Sequence, residues 1–310
     1  MKKCMRIIAV VLVLAAFALM ALGSSDSGEV KAPASVSGGN VKEDTQDTKD
    51  NTEQTEKTES AKTEVTIEEA VLLDEADIKI TAKGFEADGF LGPELKLLIE
   101  NNSQIALTVQ VRSSSVNGYM IETMLSADVA AGKKANDELT FMKSDLEAAG
   151  ITTIADMEFY FHVFNSETWD TYLDSESVII KTSAAEGFVY EYDNSGDLVF
   201  NENGVEIVVK GLSEELMGPC VVVYIRNASQ KDICVQTRDV SINGFMVDAI
   251  FSSEVAVGKH AVDTITFLSS ELEENGISTI EDIELFFHIF DNDTWMTIVD
   301  SDVIKLTFTE

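Results

Sequence analysis

Cysteine, histidine and positive charge are all scarce in this sequence. Its 310 residues include three cysteines and three histidines, which is too few for a disulfide-dense scaffold and leaves little material for a His/Cys metal site. Lysine and arginine together number 22 against 55 aspartates and glutamates, so the formal net charge is −33. This balance repels phosphate backbones and anionic surfaces, which excludes nucleic acid as a partner.

The overall composition is that of a folded protein. The chain is 45% hydrophobic and 25% charged, which is too apolar for disorder throughout. At 310 residues it is too long for one ordinary domain. Length and composition therefore predict two domains and an additional segment.

The first residues have the layout of an export signal. Residues 1–6 carry three basic side chains and no acid, residues 7–22 form an unbroken apolar run, and Ala21 and Gly23 satisfy the small-residue rule for cleavage. We therefore predict a signal peptide at residues 1–23 and an extracellular protein, either secreted or associated with the cell surface. The apolar run is nearly long enough to span a bilayer, so an uncleaved anchor is the alternative and the only membrane contact that we expect.

The next segment, residues 24–66, consists mostly of Ser, Thr, Glu, Asp, Lys, Gln and Gly. It cannot bury enough apolar surface to offset the entropy lost on ordering, so we predict a disordered acidic linker there. Residues 22–26 lack the cysteine of a lipidation motif, and Cys4 lies before the apolar run rather than after it. The sequence therefore gives no lipid attachment point at the cleavage site.

The most informative feature is an internal repeat. Residues 132–162 align with residues 258–288 with 17 identities in 31 positions, at a constant offset of 126. A period of this length indicates tandem domains, because the repeats of solenoid proteins are much shorter. We place the two domains at residues 67–184 and 185–310.

Within each copy the local pattern favours β-strands. Residues 94–100, 105–111 and 220–226 are examples of short segments that are rich in aliphatic and β-branched residues and are separated by polar turns. About seven such strands per copy predict an immunoglobulin-like β-sandwich, although the Cys-Trp-Cys signature is absent. The predicted fold class is all-β, with two tandem immunoglobulin-like domains that each contain one short helix.

Local signals refine this prediction. Asn-Gly pairs at residues 117–118 and 243–244 indicate hairpins, because both turn positions favour positive φ. Residues 144–150 and 270–276 each predict a short helix with a serine N-cap and a closing glycine. Residues 188–200 alternate around Asp-Asn-Ser-Gly and predict a hairpin that begins the second domain.

Three motifs recur in both copies: Asn-Gly-aromatic-Met, Ser-x-Leu-Glu-x-x-Gly-Ile, and Phe-His-x-Phe followed by Thr-Trp. Together with the export signal and the acidic tether, they resemble secreted or lipid-anchored surface proteins of Gram-positive bacteria, whose immunoglobulin-like domains have no assigned function. The resemblance covers most of residues 70–308. It implies an extracellular location and a sandwich fold, and it transfers no catalytic residue.

The histidines are the first candidates for chemistry. His162 and His288 lie in strands whose two faces both read as apolar, so we expect hydrogen-bonded core histidines. No nucleophile or metal partner stands at a suitable spacing, and Lys134 replaces His260 in the first copy, so no Ser-His-Asp set is repeated. We therefore predict that the protein is not an enzyme.

Aromatic residues are the candidates for binding. Trp169 and Trp295 occupy matching positions before the last strand, where we expect them to fill the core, with a ligand platform as the alternative. Residues that follow the Asn-Gly turns form a second set, for which packing onto the sheet is favoured over an exposed binding tip. This second set comprises Tyr119, Met120, Phe245 and Met246.

Acidic residues near the end of the second copy supply a candidate calcium site. Asp291, Asp293, Asp300 and Asp302 would present oxygens from two adjacent strand ends, although the pattern is not that of an EF-hand. A solvated acidic rim is the default interpretation, and calcium is the sole cofactor that we consider.

Two cysteines occur only in the second copy. Strand alternation places Cys220 and Cys234 on opposite faces, which makes a disulfide between them awkward, although an oxidising location would permit one.

From the sequence we therefore expect an exported binding or spacer protein with duplicated modules. Its partner is an unknown extracellular protein or a cationic ligand, because the chain is strongly acidic. A calcium-stabilised adhesin-type module is the alternative, and an extracellular hydrolase is a more distant one.

Overall fold

The computed structural model describes residues 30–38 and 65–308. The predicted signal peptide and residues 24–29 and 39–64 of the predicted linker lie outside the described residues. Strands dominate the described part, so the prediction of an all-β chain is confirmed. Among the described residues, no helix is long and apolar enough to cross a membrane.

The elements follow the repeat. The first part of the chain contains β1 (Ser35–Gly38), β2 (Ala70–Glu75), β3 (Ile78–Glu86), β4 (Glu94–Asn101), β5 (Leu107–Val116), β6 (Tyr119–Met120), β7 (Thr123–Met124), β8 (Ser126–Val129), β9 (Lys134–Phe141), α1 (Lys143–Ala148), β10 (Asp156–Asn165), β11 (Thr171–Asp174) and β12 (Val178–Lys181). The second part contains β13 (Asp197–Glu202), β14 (Val205–Glu215), β15 (Gly218–Asn227), β16 (Ile233–Ile242), β17 (Phe245–Met246), β18 (Ala249–Ile250), β19 (Ser252–Val255), β20 (His260–Phe267), α2 (Ser269–Glu274), β21 (Asp282–Asp291), β22 (Thr297–Asp300) and β23 (Ile304–Thr307).

The strands form three sheets. A five-stranded sheet has the order β2-β3-β4-β9-β7, and a seven-stranded sheet follows β1-β23-β21-β16-β17, with β19 beside β16 and β22 beside β21. An eleven-stranded sheet follows β11-β10-β5-β6-β20-β15-β14-β13, with β8, β12 and β18 at its sides. Its strands up to β12 come from the first repeat and the others from the second, so this sheet runs through both repeats.

Each repeat encloses its own apolar core between two sheets. In the first repeat, Ile80 and Leu97 of the five-stranded sheet share a cluster with Val109 and Phe161 of the eleven-stranded sheet, and all four are buried. Alternation along each strand directs these side chains to one face. Burying each of them stabilises the fold by roughly 1.5–3 kcal/mol.

The second repeat builds an equivalent core. Val223 and Ile265 of the eleven-stranded sheet are buried together with Val235 and Phe287 of the seven-stranded sheet. Val223, Val235 and Phe287 correspond to Leu97, Val109 and Phe161 of the first core, and Ile265 corresponds to Leu139, which is also buried there. The duplication in the sequence is thus a duplication of the core.

The predicted Asn-Gly hairpins are confirmed. Asn117 and Gly118 have φ of 50° and 84°, and Asn243 and Gly244 have φ of 52° and 80°. These turns connect β5 to β6 and β16 to β17.

Both predicted helices form, but their N-caps differ from the prediction. The N-cap positions are Met142 and Leu268, neither of which makes a side-chain capping hydrogen bond, and Ser144 and Ser270 lie inside the first turn. Each helix buries one leucine instead, so packing rather than a serine cap fixes it.

The predicted hairpin at residues 188–200 does not form. Residues 184–196 contain no strand, and β13 begins at Asp197. The amine of Lys210 lies 2.9 Å from Asp193 Oδ2 and also donates to the carbonyl oxygens of Asp193 and Ser195. The turn therefore folds around the Lys210 amine, and the residues before it form no strand that could pair with β13. Hydrogen bonds from Ser195 and Lys210 hold the pKa of Asp193 at about 2.

Residues 30–38 differ from the predicted linker. They contain β1, which pairs antiparallel with β23 and places Ser35 opposite Thr307. Just before it, Lys31 and Leu212 exchange two backbone hydrogen bonds of 2.7 Å. The physical reason is that β23 is an edge strand, whose backbone groups pair with an extended segment within reach.

The two repeats are joined by strand pairing. Tyr119 in β6 pairs in parallel with His260 in β20, and the N–H of His260 donates to the carbonyl of Gly118 at 3.0 Å. An ion pair between Lys259 Nζ and Glu158 Oε2, 2.5 Å apart, spans the same junction. The junction is therefore held by backbone and side-chain contacts as well as by the connecting chain.

Candidate functional site

The tryptophans are exposed, contrary to the expectation that they fill the core. The exposed fraction is 75% for Trp169 and 70% for Trp295. Large aromatic side chains are normally well buried, so matched exposure in two copies points to a role outside the core. These residues are therefore the centre of the candidate site.

A tight loop presents each tryptophan. In the first repeat, the side-chain oxygen of Asn165 accepts hydrogen bonds from the N–H groups of Glu167 (2.8 Å) and Thr168 (3.2 Å). The carbonyl of Asn165 accepts the N–H of Trp169 at 2.9 Å. Asp291 replaces Asn165 in the second repeat and makes the equivalent contacts. The loop is closed by its own backbone, so it holds the indole in place without packing it inward.

Both tryptophans adopt the left-handed backbone conformation. Their φ values are 62° for Trp169 and 61° for Trp295. For a bulky side chain this region costs on the order of 1–3 kcal/mol, and such strain is concentrated at functional positions. The same unfavourable conformation, with the same exposed side chain, occurs in both copies.

Each indole stacks on a buried phenylalanine. Trp169 lies over Phe164 with ring centroids 5.4 Å apart and an interplanar angle of 16°, and Trp295 lies over Phe290 at 5.5 Å and 20°. This arrangement leaves the opposite face of each indole toward solvent. The phenylalanine fixes the ring plane, so a ligand that stacks on the outer face meets a preorganised surface.

A histidine continues each stack. His162 lies 5.5 Å from Phe164, and His288 lies 5.4 Å from Phe290, measured between ring centroids. We call each set of three residues, His162, Phe164 and Trp169 or His288, Phe290 and Trp295, an aromatic ladder. Both ladders lie on the strand face opposite the apolar core, because the core takes residues 157, 159, 161 and 163 of β10 and their counterparts in β21.

The histidines are buried and hydrogen-bonded, as expected, but they do not lie in the core. The exposed fraction is 7% for each, and Nδ1 lies 2.5 Å from Oδ1 of Asp174 for His162 and of Asp300 for His288. The prediction that both strand faces are apolar core is therefore wrong. The outer face is aromatic as well: the tryptophan stacks on the phenylalanine there, and the histidine is hydrogen-bonded to the adjacent strand β11 or β22.

The Asn-Gly hairpin residues behave differently in the two repeats. Tyr119 is buried at the junction and Met120 packs on the core of the second repeat, whereas Phe245 and Met246 are 48% and 63% exposed. The favoured expectation of packing is thus correct for the first copy and wrong for the second. The structure does not bring these residues together with the tryptophans in one site.

The four calcium candidates have separate roles. Asp291 accepts Lys231 Nζ at 2.6 Å and the N–H groups of its own loop, and the hydrogen bonds from Lys231 and Thr294 hold its pKa at about 2. Asp300 accepts from His288, whereas Asp293 donates its N–H to Asp291.

The remaining candidate, Asp302, offers its backbone oxygen to Ser301 Oγ at 2.8 Å. Within residues 30–38 and 65–308, no group of three or more His, Cys, Asp or Glu side chains is arranged to hold a metal ion. The four acids therefore make separate contacts and do not form one cation site among the described residues.

The two cysteines are free and buried. Cys220 lies in β15 of the eleven-stranded sheet and Cys234 in β16 of the seven-stranded sheet, and neither belongs to the apolar core between them. Burial raises the pKa of Cys220 to about 12 and that of Cys234 to about 11. The two thiols are kept apart because their strands lie in different sheets, and not by alternation along paired strands as predicted.

Sequence reasoning missed Phe164, Phe290 and Asp174 as parts of the site, and it assigned Asp300 to a calcium site rather than to the partner of His288. One signal was available, because residues 160, 162 and 164 fall on one strand face and residues 159, 161 and 163 on the other. A strand with aromatic residues on both faces has one face outside the core unless it is sandwiched between two layers.

Comparisons with known proteins establish no family. No family model matches the chain, and no curated protein matches it. Among solved structures, the YadV chaperone is similar at a TM-score of 0.24 and 12% identity, over 73% of this chain and 99% of the chaperone. A protein of unknown function from Porphyromonas gingivalis W83 is similar at a TM-score of 0.19 and 12% identity, over 68% of this chain and 89% of that protein. Similarities this low do not establish a shared fold.

Proposed function

We propose that this protein is an exported binding module, secreted or held at the cell surface, whose two aromatic ladders bind a cationic ligand. The single observation that carries the proposal is the pair of exposed tryptophans, each stacked on a phenylalanine and held in a strained backbone conformation at the same position of both repeats. An exposed indole face on a fixed support is a suitable contact for a cation.

The charge of the chain supports a cationic ligand. The formal net charge is −33, and Glu167 and Asp170 flank Trp169 in the sequence, as Asp293 precedes Trp295. A lysine, arginine or quaternary ammonium group would meet the indole face and nearby carboxylates together. Each cation–π contact contributes about 0.5–2 kcal/mol, so one site alone binds weakly and two sites on one chain gain by avidity.

The rest of the proposal follows the sequence. We propose that each repeat is an immunoglobulin-like sandwich, that residues 1–23 direct export, and that the acidic tether spaces the repeats from the surface. The enclosure of each core between two sheets supports the sandwich assignment. The resemblance to surface proteins of Gram-positive bacteria supports the location. We propose no catalytic step.

Intrinsic fluorescence tests the binding proposal directly, because the chain contains only two tryptophans and both are at the proposed sites. The variants Trp169→Phe and Trp295→Phe each leave one indole as a reporter. Titration with a tetralysine peptide should change the emission of both variants saturably, and added salt should weaken the effect. Tetraglutamate of the same length should produce no change.

A double Trp169→Ala/Trp295→Ala variant completes the test by calorimetry. We expect it to lose tetralysine binding, whereas Phe90→Ala, which removes a different exposed aromatic side chain, should retain it. Loss of one tryptophan should weaken binding of a long polylysine far more than twofold, because avidity is lost. Fluorescence that does not respond to tetralysine, or binding retained by the double variant, would overturn the proposal.

A further inference from the structure

The junction between the repeats has two complementary faces. The first repeat contributes the hairpin face, which consists of the edge of β6 with Gly118 and Tyr119, and Glu158. The second contributes the lysine face, which consists of Lys259 and His260 at the start of β20. The ring of His260 stacks on Tyr192 at 3.7 Å, between centroids, and its backbone N–H and the Lys259 amine donate to the hairpin face.

Duplication gives the second repeat its own hairpin face, and no described segment of the chain pairs with it. The offset of 126 places Gly244, Phe245, Met246 and Glu284 where the junction has Gly118, Tyr119, Met120 and Glu158. Among the residues that the structure describes, β17 pairs only with β16.

The contrast between the two glycines shows how open this face is. A Cβ on Gly118 would approach the Tyr192 hydroxyl to 2.6 Å, whereas a Cβ on Gly244 would meet no described atom within 4 Å. Two exposed apolar side chains, Phe245 and Met246, lie beside this vacant approach.

The first repeat has its own lysine face. Lys133 and Lys134 stand where the junction has Lys259 and His260, and the first residues of β9 are largely exposed. Lys134 forms an ion pair with Glu100, which keeps its amine at the strand edge. This face carries positive charge in a chain that is otherwise strongly acidic.

We propose that a second copy of this chain docks head to tail: the lysine face of its first repeat binds the hairpin face of the second repeat. Backbone pairing then joins the N–H of Lys134 to the carbonyl of Gly244, as His260 pairs with Gly118 within the chain. The amine of Lys133 joins that of Lys305, which lies 2.6 Å from Glu284 Oε1, at the Glu284 carboxylate, as Lys259 meets Glu158. The occupant follows from the continuity of this arrangement with the existing junction and from the match of a lysine pair with a carboxylate.

Such a contact joins different faces of two identical chains, so it continues from chain to chain and produces filaments, or rings where the rotation between chains closes. It is weaker than the junction, because Lys134 and Leu98 replace His260 and Tyr224, and because association of separate chains costs translational freedom. Assembly should therefore be reversible and depend on concentration.

Sedimentation velocity of the purified protein over a wide concentration range tests the proposal. We expect the average mass to rise with concentration beyond that of a dimer. The double variant Phe245→Asp/Met246→Asp should remain monomeric, whereas Phe90→Asp, at an exposed position away from both faces, should assemble like the parent chain. Thermal unfolding of each variant confirms that the fold is kept.

A charge exchange identifies the pair of faces. Glu284→Lys and Lys133→Glu should each weaken assembly by about tenfold, and the combined variant should recover most of it. A parent chain that is monomeric at every concentration would overturn the proposal, as would assembly that persists in the Phe245→Asp/Met246→Asp variant. Assembly that appears only after deletion of residues 39–64 would also overturn it, since that result would mean that this segment of the same chain covers the hairpin face of the second repeat.

Discussion

The two repeats share a buried asparagine (Asn101 and Asn227), the Asn-Gly hairpin and the tryptophan loop, yet they differ at their edges. In the first repeat the β6 edge is covered by β20, and the β12 edge pairs with β10 alone among the described residues. In the second repeat the β17 edge has no partner strand other than β16 within residues 30–38 and 65–308, and the β23 edge is covered by β1. The conserved features are short-range and internal, whereas the variable ones are edge contacts between distant segments. Duplication thus copied a core and a loop, and the surroundings of each copy determined its edges.

The largest expected effect tests what the repeats share. Asn101 is fully buried, and its Nδ2 donates to the carbonyls of Ile105 and Val129, each at 2.8 Å. Asn227 makes the equivalent contacts in the second repeat. Replacing either by alanine leaves buried carbonyls unpaired, and we expect a loss of about 3 kcal/mol in the free energy of unfolding, measured with urea.

Asn102→Ala, at an exposed asparagine next to Asn101, serves as the control for this pair, with a change of at most about 0.5 kcal/mol. Equal losses in the two repeats would support equivalent cores. A loss confined to one repeat would mean that the shared geometry does not carry shared energetics.

The next effect concerns His260, which has no histidine counterpart in the first repeat. Burial, together with Arg226 and Lys259, lowers the pKa of His260 from 6.5 to about 4. The unfolded chain therefore takes up a proton that the folded chain excludes between these pH values, and stability falls as the pH drops from 6.5 to 4. The expected loss is about 3 kcal/mol over this range.

Urea unfolding of His260→Gln across this pH range checks the assignment, since the variant should lose this part of the pH dependence. Lys134→Gln is the matched control at the equivalent position of the first repeat. A pH profile that is the same for the parent chain and His260→Gln would show that the junction does not respond to protonation.

These contrasts mark what sequence could predict. The repeat, the strands and both Asn-Gly turns follow from local pattern and turn chemistry, because a two-residue turn needs only its own φ values. The pairing of β1 with β23 and of Tyr119 with His260 joins segments far apart in the chain, for which the sequence carries no local signal. The exposure of Trp169 was missed because aromatic residues in β10 occupy both strand faces, and composition alone does not reveal which face is the core.

A smaller effect concerns Asp263, in β20 at the junction. Burial raises its pKa from 3.8 to about 6, and the nearby Asp145 of the first repeat acts in the same direction. The folded chain thus holds a proton that the unfolded chain releases between these values, so stability falls as the pH rises from 3.8 to 6 and the full cost remains above 6. We expect Asp263→Asn to raise the free energy of unfolding by about 1 kcal/mol at pH 8 and to have little effect at pH 4.

The matched control is Asp137→Asn. Asp137 occupies the equivalent position in the first repeat, in β9 of the five-stranded sheet rather than at the junction. It should change the stability by no more than about 0.5 kcal/mol at either pH. A gain of similar size in both variants would assign the effect to general charge reduction rather than to the junction.

The smallest expected effect tests the covered β23 edge. Deletion of residues 30–38 removes four cross-strand pairs with β23 and the two backbone hydrogen bonds between Lys31 and Leu212. Each cross-strand pair contributes roughly 0.2–1 kcal/mol, and the entropy of ordering the segment offsets much of it, so the net loss should be about 1 kcal/mol. Hydrogen exchange should show faster exchange at β23 and unchanged exchange at β12, whose described partner is β10 alone. Substituting proline at Ser37 without deletion should give the same local change, because proline cannot donate to the ladder. Equal acceleration at both strands would contradict the assignment of this segment to the second repeat.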